Sequence, residues 1–341
     1  GDPDLFVGAR SVPGIYGLTP ASTLLINDGK GRFHEAAGIS EKLTGAGMVT
    51  DAVWADLDGD GDPDLAVVGE WMNISLFMND NGTLKPAGKE AGLENTTGWW
   101  NAVEAADLNG DGDMDLVAGN LGLNSLLKAS PEAPVELIVN DFDRNGTPDP
   151  LLCVYRDGTS YPVATLDELI RQIPGLRDRY PAYRDFGART AAEIFGEENL
   201  KEALYRKAVK FESCLILNNG DGTFHTRNLP QEAQFSTVRD ILVSDLDSDS
   251  LPDLVVAGNS HAPRPSIGRY DASYGWCLLG SGQNRFVPLM PHESGLIIRG
   301  DTRKLEYLNV QDTAWLIVLN NSGEMNLFRR AIIGPPHPER Q

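Results

Sequence analysis

Acidic residues recur at alternate positions in four segments of the sequence. Positions 1, 3, 5, 7 and 9 of these segments are Asp56, Asp58, Asp60, Asp62 and Asp64; Asp107, Asn109, Asp111, Asp113 and Asp115; Asp141, Asp143, Asn145, Thr147 and Asp149; and Asp245, Asp247, Asp249, Leu251 and Asp253. Carboxylates this close repel one another unless a cation lies between them. A hard divalent cation with roughly six to eight oxygen ligands suits such a set. The spacing therefore predicts four metal-binding loops.

Calcium is the cation that this ligand chemistry favours. Magnesium takes fewer protein ligands in a tighter octahedron, and zinc prefers His and Cys, which form no cluster in the sequence. We expect side-chain ligands from positions 1, 3, 5 and 9, and a backbone carbonyl from position 7, where Asp, Thr and Leu all occur. Gly61, Gly112 and Gly146 permit a sharp turn at position 6, whereas Ser250 predicts a strained or weaker fourth site. The alternative for each segment is an acidic, solvated turn.

The charge of the chain agrees with metal binding and argues against a nucleic-acid partner. The 341 residues include 29 Lys and Arg against 49 Asp and Glu, which gives a formal net charge of −20. Nucleic-acid affinity comes from clustered Lys and Arg. The three cysteines Cys153, Cys214 and Cys277 are too few and too widely spaced for a disulfide framework or a zinc site. No apolar stretch has the length of a transmembrane segment.

The residues that follow each acidic segment exclude an EF-hand. An EF-hand has Glu at position 12 and continues into a helix, but position 12 here is Val67, Ala118, Leu152 or Val256. A short apolar run follows each segment and another precedes it, which is typical of strands. Each metal loop therefore joins two antiparallel strands.

Repetition of this unit predicts an all-β fold. Asn/Asp-Gly hairpins add a third and fourth strand, and repeated small sheets indicate a β-propeller of four-stranded blades. We expect six blades in this sequence and seven in the complete protein, in a single domain over residues 1–341. Residues 1–4 match only positions 6 to 9 of another loop, so the domain is expected to be N-terminally truncated. The spacing of 34 residues between Asp115 and Asp149 predicts a shortened third blade, and capping boxes predict a helical insertion over residues 166–210, with a last helix over residues 197–210.

The loops and the apolar strands after them resemble the FG-GAP/VCBS repeat family, the calcium-loop propellers that include the integrin α-subunit head. The resemblance covers nearly the whole chain and implies calcium and a propeller. Segments 98–101 (Gly-Trp-Trp-Asn), 119–125 and 268–275 are more closely similar to bacterial VCBS proteins grouped with ASPIC/UnbV sequences. Because most of that group has no assigned function, the resemblance implies little about activity.

The predicted topology gathers unusual polar and aromatic residues at the pole opposite the metal loops, in the connections between blade strands. Long connections on a rigid scaffold are common binding sites. The candidate ligand-face residues are Glu70, Trp71, Trp99, Trp100, Asn101, Asn120, Asn124, His261, Arg269, Tyr270 and Asp271. For the tryptophans the alternative is packing between blades, and for Arg269, Tyr270 and Asp271 it is a loop brace.

Three functions agree with these residues. The favoured one is a non-catalytic module, outside the cytoplasm because modest oxygen sites suit millimolar calcium, that binds a protein or glycan at the ligand face. A calcium-assisted polysaccharide lyase is an alternative, since Glu70, His261, Arg269, Tyr270 and Asp271 offer acid–base groups, although no catalytic motif is present. Docking of the helical insertion into a larger surface assembly is the third. The sequence leaves the oligomeric state open.

Overall fold

The computed structural model describes residues 2–261, 268–311 and 313–329, without the side chains of Ala37, Ser40 and Glu41. Gly1 of the predicted truncated loop and residues 330–341 of the predicted domain lie outside these ranges. The described residues form an all-β protein with few, short helices. Within these ranges, no helix is both long and apolar enough to cross a membrane.

The strands, in chain order, are β1 (Leu5–Val7), β2 (Thr23–Asn27), β3 (Phe33–Glu35), β4 (Met48–Ala55), β5 (Asp64–Met72), β6 (Ser75–Asp80), β7 (Thr83–Pro86), β8 (Gly98–Trp99), β9 (Ala102–Ala106), β10 (Asp115–Gly119), β11 (Val135–Asn140), β12 (Asp149–Arg156), β13 (Thr159–Pro162), β14 (Leu204–Ala208), β15 (Cys214–Asn218), β16 (Phe224–Asn228), β17 (Val238–Ser244), β18 (Asp253–Gly258), β19 (Trp276–Gly280), β20 (Phe286–Leu289), β21 (Thr302–Val310), β22 (Thr313–Asn320) and β23 (Asn326–Arg329). The α-helices are α1 (Ala37–Leu43), α2 (Leu166–Gln172), α3 (Leu176–Arg179), α4 (Tyr183–Phe186), α5 (Ala191–Phe195), α6 (Glu197–Lys201) and α7 (Pro291–Ser294). Two 3₁₀ turns cover Lys89–Ala91 and Gln231–Gln234.

Antiparallel sheets of three to five strands make up the protein, and we number five of them by chain order. The first sheet is β1-β2-β3, the second β4-β5-β6-β7 with β8 beside β5, the third β9-β10-β15-β16, the fourth β17-β18-β19-β20 and the fifth β21-β22-β23. The second and fourth sheets are the predicted meanders, in which a metal loop joins the first two strands. Every residue of β5, β10 and β18 is buried. Burial on both faces explains why these strands read as continuous apolar runs.

The third sheet corrects one prediction, because its second and third strands are far apart in sequence. Strand β10 pairs with β15, and the chain between them forms a separate sheet with the order β13-β12-β11-β14, here called the inserted sheet. The third metal loop joins β11 to β12 within it. The predicted shortened third blade is therefore wrong. The described residues form six sheets, namely the five numbered sheets and the inserted sheet.

The helical insertion also differs in detail from the prediction. Helices α2 to α6 lie between β13 and β14, and both predicted capping boxes are present, at Thr165 with Glu168 and at Thr190 with Glu193. The predicted last helix over residues 197–210 is wrong, because the helix ends at Lys201 and β14 follows. Strand β14 pairs with β11, so edge pairing overrides the local helical pattern.

Neighbouring numbered sheets pack against each other in chain order. The first strands of the second to fifth sheets, β4, β9, β17 and β21, lie in contact one after another. Trp100, fully buried, packs in the core between the second and third sheets with Val68 and Leu116. Similar clusters join the third to the fourth sheet and the fourth to the fifth. This packing places the metal loops of the second, third and fourth sheets at the same ends of neighbouring strands.

Candidate metal loops and a ligand cavity

Carboxylates converge in three of the four acidic loops. Oxygens from positions 1, 3 and 9 lie within 4.8 Å of one another in the first, third and fourth loops. The three groups are Asp56, Asp58 and Asp64; Asp141, Asp143 and Asp149; and Asp245, Asp247 and Asp253. The second loop has Asn109 at position 3, and its amide Nδ2 donates to Asp111 Oδ2 at 2.8 Å. This loop offers an amide oxygen where the others offer a carboxylate.

Hydrogen bonds inside each loop hold the carboxylates in place. The Asp56 carboxylate at position 1 accepts from the backbone N–H groups of Gly59 at 2.8 Å and Gly61 at 3.0 Å. At the other first positions, Asp107, Asp141 and Asp245 accept two backbone N–H bonds each, at 2.7–3.1 Å. The side chains at positions 3 and 5 accept in the same way from the backbone two residues further on. The loop backbone itself therefore sets the separation of the candidate ligands.

Positive φ angles explain the glycines of the loops. Gly61, Gly112 and Gly146 at position 6 have φ of +92°, +95° and +88°, and Ser250 has +72°. A side chain in this region costs roughly 1–2 kcal/mol, so the geometry supports strain in the fourth loop. Position 4 also has positive φ, which our sequence reasoning missed although Gly59 and Gly110 signal it. Ser248 occupies it in the fourth loop with φ of +69°.

The aspartate at position 9 has a second role that our sequence reasoning also missed. Asp64 is fully buried, and its Oδ2 accepts from the backbone N–H of Leu57 at 2.8 Å while its Oδ1 accepts from that of Asn79 at 2.7 Å. Asp115 and Asp253 make the same two bonds, to their own loop and to the third strand of their sheet. Position 9 therefore joins the loop to the third strand.

Burial has an electrostatic consequence at these aspartates. It raises the pKa of Asp115 and of Asp253 to about 6, against the backbone hydrogen bonds that both accept, and neighbouring loop carboxylates raise the pKa further. A bound cation reverses this tendency because it favours the ionised carboxylate. The candidate metal ligands are all oxygens, which lie close together and are partly desolvated. They fit a hard divalent cation.

A cavity of about 340 Å³ lies at the other end of the same strands. Strand β5 begins at Asp64 in its metal loop and reaches the cavity at Glu70 and Trp71, which places the two about 20 Å apart along an extended strand. Leu121 and Ser260, just beyond β10 and β18, also line it. Leu137 and Leu152 of the inserted sheet complete one wall. The cavity thus occupies the end that we predicted to be the ligand face.

Glu70 is the centre of a buried hydrogen-bond chain in this cavity. Its Oε1 accepts from Arg10 Nη2 at 2.6 Å and its Oε2 from the Tyr16 hydroxyl at 2.7 Å. Trp71 Nε1 donates to the Tyr16 hydroxyl oxygen at 2.8 Å. Burial and the Glu70 carboxylate both raise the pKa of Tyr16. Glu70 is therefore held by two donors, and Tyr16 stays a neutral hydrogen-bond donor.

Aromatic rings form the neighbouring wall of the cavity. Trp71 and Trp99 meet edge to face with centroids 4.9 Å apart, and Phe211 lies 5.3 Å from Trp99. Trp71 has a φ of +60°, a strained value for a bulky side chain and one that is enriched at ligand sites. Trp99 Nε1 is buried and has no hydrogen-bond partner among the residues described.

Arg239 provides a cation on the opposite wall. Its Nη1 donates to Asn101 Oδ1, and its Nη2 lies 3.5 Å from Ser260 Oγ. Its Nε is buried without a partner in the described part of the chain. Burial and, to a smaller extent, the neighbouring Arg303 lower the pKa of Arg239 to about 10, which leaves it charged at neutral pH.

The structure brings together only part of the predicted ligand face. Glu70, Trp71, Trp99 and Tyr270 line the cavity, and Asn101 contacts it through Arg239. Trp100 and Asn120 are fully buried and bond to backbone groups, so they are structural. The remaining candidates lie away from the lining: Asn124, Arg269 and Asp271 are exposed and His261 is half-buried.

Three lining residues with charged or aromatic side chains are absent from the predicted ligand face, namely Arg10, Tyr16 and Arg239. Arg10 and Tyr16 lie in a connection between second and third strands, a signal that was visible in the sequence. Arg239 is at a bulge in the first strand β17, between Val238 and Asp240. Its contribution depends on that bulge, and no sequence pattern marks it.

Comparison with known proteins supports the repeats. The family model described as FG-GAP-like repeat matches residues 1–67 and 56–118, so two such repeats lie in the first third of the chain. No curated protein matches the sequence.

Two solved structures have weak similarity. A lectin of Agrocybe aegerita, described for recognition of non-reducing terminal N-acetylglucosamine, is 14% identical over 92% of this chain and 76% of its own, with a TM-score of 0.30. The Vibrio cholerae biofilm matrix protein Bap1 is 10% identical over 89% of this chain and 63% of its own, with a TM-score of 0.28. TM-scores of this size do not establish a common fold.

Proposed function

We propose that this protein is a calcium-stabilised β-propeller that acts as a non-catalytic binding module, with its ligand at the cavity end. The observation that carries the proposal is the fourfold loop geometry, in which carboxylates of positions 1, 3 and 9 converge within 4.8 Å in three copies. The FG-GAP-like repeats agree with it. The cavity at the far ends of the same strands supports the ligand site.

A closed ring is the architecture that best explains the sheet packing. The first strands β4, β9, β17 and β21 contact one another in series, as strands around a propeller axis do. The inserted sheet is then an addition to the third blade, over the cavity end of the axis.

Calcium would be held by oxygens of positions 1, 3, 5 and 9 and by the position 7 carbonyl, in about four sites. Bound there, it would neutralise carboxylates that otherwise repel one another. The aspartate at position 9 would also stabilise the loop without an ion, because its carboxylate accepts hydrogen bonds from the loop and from the third strand. Because such sites suit millimolar calcium, we place the protein outside the cytoplasm, in the periplasm, at the cell surface or secreted.

Binding is favoured over lyase chemistry by the state of the polar groups. Both oxygens of Glu70 already accept hydrogen bonds, and burial of the Tyr16 phenol opposes its ionisation. A lyase needs a base free to take a proton. Of the other predicted acid–base groups, His261, Arg269 and Asp271 do not line the cavity. Tyr270 does, but burial raises the pKa of its phenol and opposes its ionisation. Docking through the helical insertion is a weaker alternative, since none of the described residues of helices α2 to α6 lines the cavity.

The segments 98–101, 119–125 and 268–275 further support relatives among bacterial VCBS proteins grouped with ASPIC/UnbV sequences. Each of these segments contributes to the cavity, through Trp99, Leu121 and Tyr270. We therefore propose that relatives with the same segments have the same cavity.

Glycan arrays and pull-downs with the purified protein test the function. Wild-type protein should retain a ligand that Trp99→Ala loses, because that change removes one wall of the cavity. Arg285→Ala is the matched control, since Arg285 is exposed in the hairpin between β19 and β20 and far from the cavity. Equal capture by wild type and Trp99→Ala would contradict a ligand site here.

A further inference from the structure

The cavity contains a cation that no carboxylate of the described residues pairs with. In the described ranges, Arg239 forms no ion pair, and its contacts are the neutral oxygens of Asn101 and Ser260. A buried charge without a counter-ion is costly. An anionic ligand in the cavity would therefore supply the counter-charge that Arg239 lacks among the described residues.

The nearby carboxylates pair with other cations. Glu70 pairs with Arg10 at 2.6 Å and accepts from Tyr16. Asp301 pairs through Oδ2 with Arg303 at 2.9 Å, and its Oδ1 is buried without a partner in the described ranges. The charged groups that act on Arg239 are thus two ion pairs, Arg10 with Glu70 and Arg303 with Asp301. Arg239 remains as a local positive excess in a chain whose formal net charge is −20.

Two N–H donors on the cavity lining also lack acceptors. Arg239 Nε and Trp99 Nε1 are both buried and have no partner among the residues described. Buried donors without acceptors are rare in folded proteins. An incoming carboxylate would offer its charge to the guanidinium, which binds carboxylates in paired geometry. Arg239 Nε and Trp99 Nε1 are covered in the free protein, so their side chains must turn for the carboxylate to accept from them.

We propose that the cavity recognises the carboxylate of a uronic acid residue at the end of a glycan, with Arg239 as its principal partner and Trp99 as a second donor. This inference rests on the proposed ligand cavity and deepens it.

A sugar suits the remaining walls better than an acidic peptide does. Trp71, Trp99 and Tyr270 present aromatic surface beside the donors, and the C–H face of a pyranose ring packs against such surface whereas an aspartyl side chain has no such face. The volume of about 340 Å³ is at the small end for ligand pockets and suits a terminal residue. Arg10, whose side chain is 57% exposed, marks the open side.

Titration calorimetry with matched glycosides tests the proposal. The probes are methyl glucuronide and methyl galacturonide, each compared with the neutral methyl glycoside of the same configuration. We expect at least one uronide to bind about tenfold or more tightly than its neutral partner, as loss of a charge-assisted hydrogen bond implies. Rising salt should weaken the uronide and leave the neutral glycoside unaffected.

Variants assign the effect to residues. Arg239→Gln should reduce uronide affinity by about tenfold or more, and Trp99→Phe, which keeps the ring and removes Nε1, should reduce it severalfold. Arg285→Gln should leave it unchanged. If Arg239→Gln does not fold, Trp99→Phe and the paired glycosides on wild-type protein decide the question.

The outcomes separate this inference from the proposed function. Equal affinity for uronide and neutral glycoside, uronide binding insensitive to both variants, or stronger binding of an N-acetylated aspartyl peptide would each overturn carboxylate-sugar recognition. The proposed function would survive if arrays or pull-downs still gave a ligand that depends on Trp99. It fails together with the inference if no such ligand is found.

Discussion

The two ends of the strands in this protein are built in opposite ways. At one end, each metal loop is a single stretch of nine residues whose carboxylates exceed any cation that the chain supplies. At the other, the cavity is lined by residues from distant segments, from Arg10 to Tyr270, and among the described residues the guanidinium of Arg239 has no carboxylate partner. One end thus offers oxygens that suit a cation, and the other offers a guanidinium that suits an anion. Local sequence encodes the first set of groups, whereas only the folded chain assembles the second.

Removing calcium should produce the largest effect and should act on the loop end. A ligand bound only to the native state at about one hundred times its Kd adds roughly 2.7 kcal/mol per site. With about four sites, EDTA should lower the free energy of unfolding by several kcal/mol and lower Tm visibly in a thermal melt.

Calcium added back in excess should restore Tm, and magnesium at the same concentration should restore less of it. Equal melting curves in EDTA and in calcium would remove the distinction between the two ends, because the loops would then be acidic turns without an ion.

Asp64 distinguishes metal binding from the hydrogen bonds that join the loop to the sheet. Asp64→Asn places an amide N–H against one of two backbone N–H donors, from Leu57 and Asn79, so we expect a loss of roughly 2–3 kcal/mol even in EDTA. Asp58→Asn in the same loop is the control, since Asp58 is exposed and accepts only a local bond. Urea unfolding with and without calcium measures both.

Asp58→Asn should destabilise only when calcium is present. If both variants lose stability only in calcium, position 9 is a ligand without a separate structural role.

The same contrast explains how much the sequence predicts. The loops, the strands that flank them and the two capping boxes are local patterns, and all are present at the predicted positions. The pairing of β10 with β15 is not local. The third loop has the same nine-residue pattern as the others, but its sheet is inserted between these two strands, and spacing alone cannot distinguish an inserted sheet from the next blade.

The ligand face was predicted in outline only, for a similar reason. Topology placed Trp71, Trp99 and Trp100 at one end, yet a tryptophan packs or binds according to what lies over it. Trp100 is covered by the neighbouring sheet and Trp99 remains on the cavity. Arg239 reaches the cavity through a bulge, which the apolar pattern of β17 does not reveal.

Glu104 lies on β9, the first strand of the third sheet, between the loop end and the cavity end. It tests whether a buried carboxyl group there makes stability depend on pH. Burial raises the pKa of Glu104 to about 7; Lys304 opposes the rise, and Asp240, Asp51 and Glu306 add to it. A carboxyl group whose folded pKa lies above its unfolded value destabilises the folded state as pH rises from about 4.5 through 7. With solvent screening of this partly exposed group, we expect Glu104→Gln to add about 1–2 kcal/mol at pH 8 and almost nothing at pH 5.

The measurement needs saturating calcium, because the pKa values of Asp115 and Asp253 are also raised and a bound ion keeps those carboxylates ionised. The difference between variant and wild type at each pH then isolates Glu104. A difference that does not change between pH 5 and pH 8 would show that the carboxylate ionises as it does in the unfolded chain.

Ser250→Gly is the smallest change and compares one loop with another. Ser250 occupies position 6 with φ of +72°, where the first three loops have glycine. Glycine removes that backbone cost, so we expect a gain of up to about 1 kcal/mol in stability, reduced by the greater freedom of glycine in the unfolded chain. The reverse change Gly61→Ser in the first loop should lose a similar amount, since a Cβ there has open space around it and only the backbone is strained.

Urea unfolding in EDTA removes the contribution of the ion, so that the two variants differ from wild type in the backbone strain at position 6. A loss of stability in Ser250→Gly would mean that the serine hydroxyl, and not the backbone angle, decides how the fourth loop differs from the others.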